Sequence, residues 1–309
     1  MVTIHTTMNT KRRLIVIVGA TASGKTDMSI ALARRYNAPI ISTDSRQVYR
    51  GLPIGTAQPT AEQLAEVEHH FIANLDIDQP FNCGEYEKQA LQLLDALFEK
   101  HQTVVAVGGS GLYIKALCDG MDDLPEADEA MRQQLMSRLE AEGVVALAEE
   151  LQRLDPEYYE VVDRNNPARV LRALEVCLSS GRKYSEMRCG ERKERNFEIV
   201  KVGVDMPRDL LYERINRRVD IMMEMGLEAE ARAMLPHRHH NSLRTVGYSE
   251  MFDYFDGLTT REEAVELIKR NTRRYAKRQL TWFRRDVEVR WFSPQQFDAI
   301  VEYIDSQFG

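Results

Sequence analysis

Cysteine is scarce in this chain: four residues in 309, at Cys83, Cys118, Cys177 and Cys189. That is too few for a disulfide scaffold. No two of them form a C-x-x-C pair, which disfavours a thiolate zinc site. The composition fits a reduced, cytoplasmic protein. Long apolar runs are also missing. Lys11, Arg12 and Arg13 precede Leu14–Val18 in the manner of a signal peptide, but the run stops at Gly19 without a credible cleavage site. Nothing approaches the roughly 18 to 20 apolar residues needed to cross a bilayer, so neither export nor membrane insertion is expected. A surplus of positive charge is missing too. With 41 basic and 48 acidic residues the net charge is −7. Overall charge therefore cannot hold a nucleic acid, although a local basic patch still could.

What is present is ordinary for a globular protein, 43% hydrophobic and 29% charged. The length allows two domains, or one large core with an insertion. Leu14 to Val18 reads as a buried strand, followed by a glycine-rich turn and a helix from about Gly24 to Tyr36. Pro39–Thr43 and Thr103–Val107 read as further strands, with helical spacing from Cys83 to Lys100 between them. This alternation predicts an α/β fold, a parallel sheet covered on both faces. From Asp122 to about Arg195 strand character disappears. Met131–Glu142, Val144–Leu154 and Ala168–Ser180 read as helices, before Phe197–Val204 resumes strand alternation. The expected organisation is a core of residues 1–120 and 200–309 with an all-helical insertion at 121–199.

Gly19-Ala20-Thr21-Ala22-Ser23-Gly24-Lys25-Thr26 satisfies G-x-x-x-x-G-K-[ST] between a predicted strand and a predicted helix. Such a loop turns backbone N–H groups onto phosphate oxygens at a helix N-terminus. Lys25 would neutralise the terminal phosphates, and the Thr26 hydroxyl would coordinate Mg²⁺. The motif recognises a di- or triphosphate and leaves the rest of the ligand open. The strand at Thr103–Val107 ends in Gly108-Gly109-Ser110-Gly111 rather than in an aspartate. The strand-terminal acid is instead Asp44, at the edge where open α/β sheets bind ligands. Asp44 is either a base facing the cradle or a turn-capping aspartate.

Several blocks together resemble the tRNA dimethylallyltransferases: Thr21–Thr26, Ser42–Tyr49, Ile54–Ala57, Gly108–Tyr113, Arg172–Glu175, Val246–Tyr248 and Tyr275–Trp282. They occur in order over about residues 14 to 285. The resemblance implies a P-loop NTPase-like core and an Mg²⁺-dependent enzyme of bacterial type. It would move a dimethylallyl group from dimethylallyl diphosphate to the exocyclic amine of the adenosine 3′ of the tRNA anticodon. It further implies that the cradle grips the donor diphosphate rather than ATP, that Arg218 also reaches the diphosphate, and that Asp44 accepts the proton of the attacking amine. Arg214 lies one turn from Arg218 on the same helix face. Ser110, where the family usually has Thr, would hydrogen-bond the adenosine; Ala20 stands where the family usually has Pro.

For tRNA the resemblance implies contacts at Asp44, Ser45, Arg46, Gln47 and Ser110, at Arg132 and Ala168-Arg169-Val170-Leu171-Arg172, at Arg244-Thr245-Val246-Gly247-Tyr248-Ser249, and at Lys277 and Arg278. The helical insertion would clamp the anticodon stem-loop, and the adenosine would be extruded into the pocket. For Arg172, pairing with Glu175 is an alternative. Lys269, Arg270, Arg273, Arg274, Lys277, Arg278, Arg284 and Arg285 come without an intervening acid. The first six fall on one half of a helix, either as a solvated face or as a phosphate-binding one. His237, His239 and His240, flanked by Pro236 and Asn241, read as a polar loop rather than a metal site. A monomer is expected. The rival readings are a P-loop small-molecule kinase using ATP, an adenylate isopentenyltransferase acting on free nucleotide, and a non-enzymatic RNA-binding protein.

Overall fold

The computed structural model describes residues 11–125 and 129–308. Its strands are β1 (Arg13–Gly19), β2 (Ile40–Ser42), β3 (His69–His70), β4 (Thr103–Val107), β5 (Glu198–Val204) and β6 (Val289–Phe292). They form one sheet in the order β3-β2-β4-β1-β5-β6, with every pairing parallel. Ile15 of β1 stands between Val105 of β4 and Val200 of β5. Alternate residues of a strand point to opposite faces, and both faces are buried. Leu14, Val16 and Val18 enter one core and Ile15 and Ile17 the other. This explains why the central strands are continuous apolar runs rather than alternating ones.

The helices are α1 (Lys25–Tyr36), α2 (Ala61–Glu66), α3 (Cys83–Phe98), α4 (Gly111–Asp119), α5 (Glu129–Leu154), α6 (Pro156–Val161), α7 (Pro167–Ser180), α8 (Tyr184–Met187), α9 (Arg208–Met225), α10 (Leu227–Met234), α11 (Tyr248–Phe255), α12 (Arg261–Phe283) and α13 (Phe297–Gln307). Helices α1 and α13 cover one sheet face through Met28, Leu32, Ile300 and Ile304. The other face is covered by α3, α4, α11 and α12 through residues such as Leu94, Leu117, Met251 and Ile268. Their ends are chemically marked. Helix α12 starts at a Thr260–Glu263 capping box, which satisfies two amides that the helix itself cannot. Helix α1 stops at Asn37, left-handed at φ 47°, whose N–H closes back on the carbonyls of Ala33 and Arg34.

The chain divides into two compact units, Met1–Cys118 with Glu194–Gly309, and Asp119–Lys193. The second holds α5 to α8 around its own core of Leu135, Leu147, Leu151, Val170 and Leu174. Helix α5 is interrupted at Gly143, with φ 80° and ψ 168°, so it is two helices end to end. Buried Asp155 accepts hydrogen bonds from the Tyr158 amide and from both the amide and hydroxyl of Ser185, pinning α6 to α8. Asp119 and Gly120, placed in the core by the sequence reading, belong to the helical unit, and residues 194–199, placed in the insertion, belong to the sheet unit. There Arg195 donates to the carbonyls of Ala116 and Leu117 and pairs with Glu87 at 2.8 Å. The short elements β3, β6, α6 and α8 carry no periodicity long enough to read from sequence. No helix among the described residues is long and apolar enough to cross a membrane.

Candidate active site

Strands β2, β4 and β1 are neighbours and parallel, so the loops following Ser42, Val107 and Gly19 emerge side by side at one sheet edge. A cavity of about 1090 Å³ opens there, within the sheet unit, lined by Lys25, Thr26, Asp44, Arg214, Arg218 and Tyr275 among others. The cradle wraps the start of α1, whose capping residue Gly24 adopts φ 96°, a conformation that glycine reaches without steric cost.

The cationic side of the cavity is crowded. Lys25 Nζ donates to the carbonyl of Ala20 at 2.6 Å. Burial, reinforced by the Arg218 guanidinium and opposed by Asp44, lowers its pKa to about 7. Arg218 on α9 reaches the Thr21 hydroxyl at 3.4 Å. Burial, followed by repulsion from Arg214, depresses the pKa of Arg218 as well. Clustered cations whose charged forms are disfavoured constitute a site for a polyanion, because an anion relieves both costs.

Asp44 faces this cluster. Its Oδ1 accepts the amides of Arg46 at 2.8 Å and Gln47 at 3.3 Å, which fixes the loop as an Asx turn. Its Oδ2 has no hydrogen-bond partner among the described residues, so one oxygen holds the turn while the other is available. The turn-capping reading of Asp44 is thus realised, and its second oxygen is left open at the cavity. Ser110 accepts the Ser45 amide at 3.0 Å and lies at the Tyr275 hydroxyl. Burial and the Asp44 charge push that phenol up to about 12, so it remains a neutral hydrogen-bonding group. The Gln47 amide donates to the carbonyls of Thr56 and Ala57, so its side chain braces the neighbouring wall.

The remaining residues separate by environment. Arg244, Thr245, Val246, Gly247, Ser249 and Arg278 line the cavity. Tyr248 and Val170 are both fully buried. Their side chains therefore serve packing, and only their backbone could meet a bound molecule. The Tyr248 hydroxyl donates to Glu230 at 2.6 Å. In the helical unit Ala168 and Arg169 are exposed and Leu171 is half-buried. Arg172 and Arg132 both approach buried Glu175, at 3.2 and 3.8 Å, so the pairing alternative holds for Arg172.

On α12, Lys269 pairs with Asp220 and Glu266, and Arg284, just past the helix, pairs with Asp205. Arg270, Arg274, Lys277, Arg278 and Arg285 are exposed and without a carboxylate within 4 Å among the described residues. Sequence reasoning missed Gln279, whose amide joins two of the site loops. A signal existed. Ala276, Gln279 and Phe283 share the buried stripe of α12, and an amide in such a stripe needs partners.

Residues 47–286 match the family described as IPP transferase. A tRNA dimethylallyltransferase of Cytophaga hutchinsonii is 48% identical over 294 residues, covering 95% of this chain and 97% of its own. The chain belongs to the IPP transferase family. Among solved structures, the tRNA isopentenylpyrophosphate transferase of Bacillus halodurans superposes with TM-score 0.72 at 40% identity, over 96% of this chain and 97% of that one. A eukaryotic dimethylallyltransferase acting on tRNA shares the fold at TM-score 0.78 and 24% identity, covering 93% of this chain and 75% of that one.

Proposed function

We propose that this protein transfers the dimethylallyl group of dimethylallyl diphosphate to the exocyclic amine of the adenosine 3′ of the anticodon, position 37, in tRNA. The observation that carries this reading is Asp44 set opposite the Lys25–Arg218 cation pair in one cavity. The amine nitrogen forms the new bond to the allylic carbon as the carbon–oxygen bond breaks, and the electron pair leaves with diphosphate. The cradle amides, Lys25 and Arg218 stabilise the charge that develops on the leaving group. Asp44 Oδ2 takes the proton lost by the amine. Ser110 and Tyr275 supply hydrogen bonds on the acceptor side.

The donor set suits Mg²⁺. The Thr26 hydroxyl lines the cavity and has no hydrogen-bond partner among the described residues. Those residues hold no cluster of three or more acidic, His or Cys ligands. A cation held largely by substrate phosphates and water, with one hydroxyl from the protein, is the usual Mg²⁺ arrangement. When bound, it would supply further neutralisation of the leaving diphosphate. On α12 the exposed Arg270, Arg274, Lys277 and Arg278, with no carboxylate within 4 Å among the described residues, offer contacts to the phosphates of the anticodon stem-loop. Cytoplasmic location and a monomeric state agree with this reading.

The test supplies purified protein with Mg²⁺, radiolabelled dimethylallyl diphosphate and either unmodified tRNA or AMP. Label is expected in tRNA and should be lost in Asp44→Ala and Lys25→Ala. Label in AMP alone would assign the protein to free-nucleotide prenylation. No label with either acceptor would defeat the proposal.

A further inference from the structure

Gln279 on α12 is 5% exposed, and both ends of its amide are used. Its Oε1 accepts the Thr21 amide of the phosphate cradle at 2.8 Å. Its Nε2 donates to the carbonyl of Gly109 at 3.0 Å, in the loop that leads to Ser110 and so to Ser45. One side chain therefore spans the loop that grips the diphosphate and the loop on the acceptor side. Only a carboxamide offers an acceptor and a donor in that geometry at any pH. The glycine opposite it is explained by the same contact. A Cβ on Gly109 would overlap Gln279 Nε2 and crowd its Cδ at 3.2 Å, while its next neighbour, the Gly19 carbonyl, is at an ordinary 3.8 Å. Gly109 has no positive φ to require glycine. Its missing side chain is space for Gln279.

The same helix carries the exposed cations Arg270, Arg274 and Lys277 on its other side. Its Arg278 guanidinium lies 5.6 Å from the Tyr275 ring, and both side chains line the cavity. We infer that Gln279 is a positioning residue that sets the distance between the donor and acceptor halves of the site, tying both loops to the helix that faces tRNA. Both hydrogen-bonding ends of its amide are taken up by Thr21 and Gly109, and it acts through them. This inference rests on the prenyl-transfer reading above and extends it to the step in which two separately bound substrates are aligned.

A double-mutant cycle tests it. Single-turnover prenylation is measured with saturating tRNA and dimethylallyl diphosphate, alongside equilibrium binding of tRNA and of inorganic diphosphate to each protein. Gln279→Ala should slow the single-turnover rate about 30-fold, the order set by losing two buried hydrogen bonds. Both binding constants should stay within about threefold, because each loop keeps its own ligand contacts. Gly109→Ala should show a comparable loss in the native background and almost none in Gln279→Ala, where the space for its methyl group has been made. Gln279→Glu, close to the same volume, serves if the alanine variant fails to fold. It keeps an acceptor for Thr21, loses the donor to Gly109, and should fall between the two. An unchanged rate in Gln279→Ala, additive losses in the cycle, or binding constants that weaken in step with the rate would overturn the inference. Failure of the unaltered protein to label tRNA would instead defeat the prenyl-transfer reading itself.

Discussion

Lys25 donates to the carbonyl of Ala20 at 2.6 Å, so the cation of the phosphate cradle is turned onto the backbone of its own loop. Burial and the neighbouring Arg218 bring its pKa to about 7, with Asp44 opposing. A diphosphate in the cradle favours the ammonium and raises that value. The sign follows by linkage: affinity is greatest below pH 7 and declines as pH rises through it, and binding above that pH takes up a proton. At pH 8 the uptake should approach about one proton per diphosphate bound at this group. Calorimetry of inorganic diphosphate binding in two buffers of different ionisation enthalpy measures it. Protons gained by the ligand itself are common to Lys25→Arg, whose guanidinium stays charged. The native protein should exceed that variant by the predicted amount, and equal uptake would remove Lys25 from the linkage.

Asp44 has two separable jobs, and substitution can divide them. Asparagine retains an Oδ1 acceptor for the amides of Arg46 and Gln47 but is not a base at neutral pH. Asp44→Asn should therefore leave the unfolding midpoint and tRNA affinity nearly unchanged. The single-turnover rate should fall by about 10² to 10⁴, the usual span of general-base assistance. Asp44→Ala loses the turn as well and should cost roughly a further 1 kcal/mol in stability. A fast Asp44→Asn enzyme would mean that the proton leaves by another route.

What could be read in advance depended on how local its cause was. The cradle from Gly19 to Thr26 is a contiguous motif whose function follows from its own backbone, and Asp44 follows from the rule that ligands sit at strand ends. Gln279 could not be assigned in the same way. Its partners Thr21 and Gly109 lie 258 and 170 residues away, and only the packing of α12 brings them together. Glu230 is the same case, accepting amides of Ile54 and Gly55 across 176 and 175 residues. The resemblance drew Tyr248 and Val170 into the tRNA surface because adjacent residues share a motif, but alternation around a helix or turn buries some of them. The edge strand β6 is not legible because its four residues, one of them Arg290, carry too little pattern.

The burial of Tyr248 makes a prediction that separates packing from tRNA contact. Its hydroxyl is one of three donors on Glu230, with the amides of Ile54 and Gly55 at 2.9 and 2.8 Å. Tyr248→Phe removes one bond and leaves the other two, so unfolding in urea should show a loss of about 0.5 to 1.5 kcal/mol. Affinity for tRNA should not change. Glu230→Ala strands all three donors and should cost about 2 to 4 kcal/mol, with the wall from Ile54 to Ala57 displaced into the cavity. A Tyr248→Phe protein of native stability that binds tRNA weakly would instead place the hydroxyl on the RNA.

The cations of α12 differ in what they already hold, and salt dependence should sort them. Lys269 is bound to Asp220 at 2.7 Å and to Glu266 at 3.0 Å. Its charge is spent within the protein, and its pKa is raised by those partners. Lys277 is exposed with no such partner among the described residues. A lysine that neutralises an RNA phosphate releases a condensed counterion, and its removal flattens the plot of log affinity against log salt by roughly 0.7 to 1. Lys277→Ala should produce that change and weaken binding to any tRNA alike, because a phosphate contact carries no sequence information. Lys269→Ala should leave the slope unaltered. Fluorescence anisotropy of labelled tRNA between 50 and 300 mM KCl, about the range over which such slopes are resolved, gives both numbers in one series. If the two variants shift the slope equally, the ion pairs of Lys269 open on binding and the whole basic face engages the RNA. If neither does, the basic residues of α12 are a solvated face and the tRNA is held elsewhere.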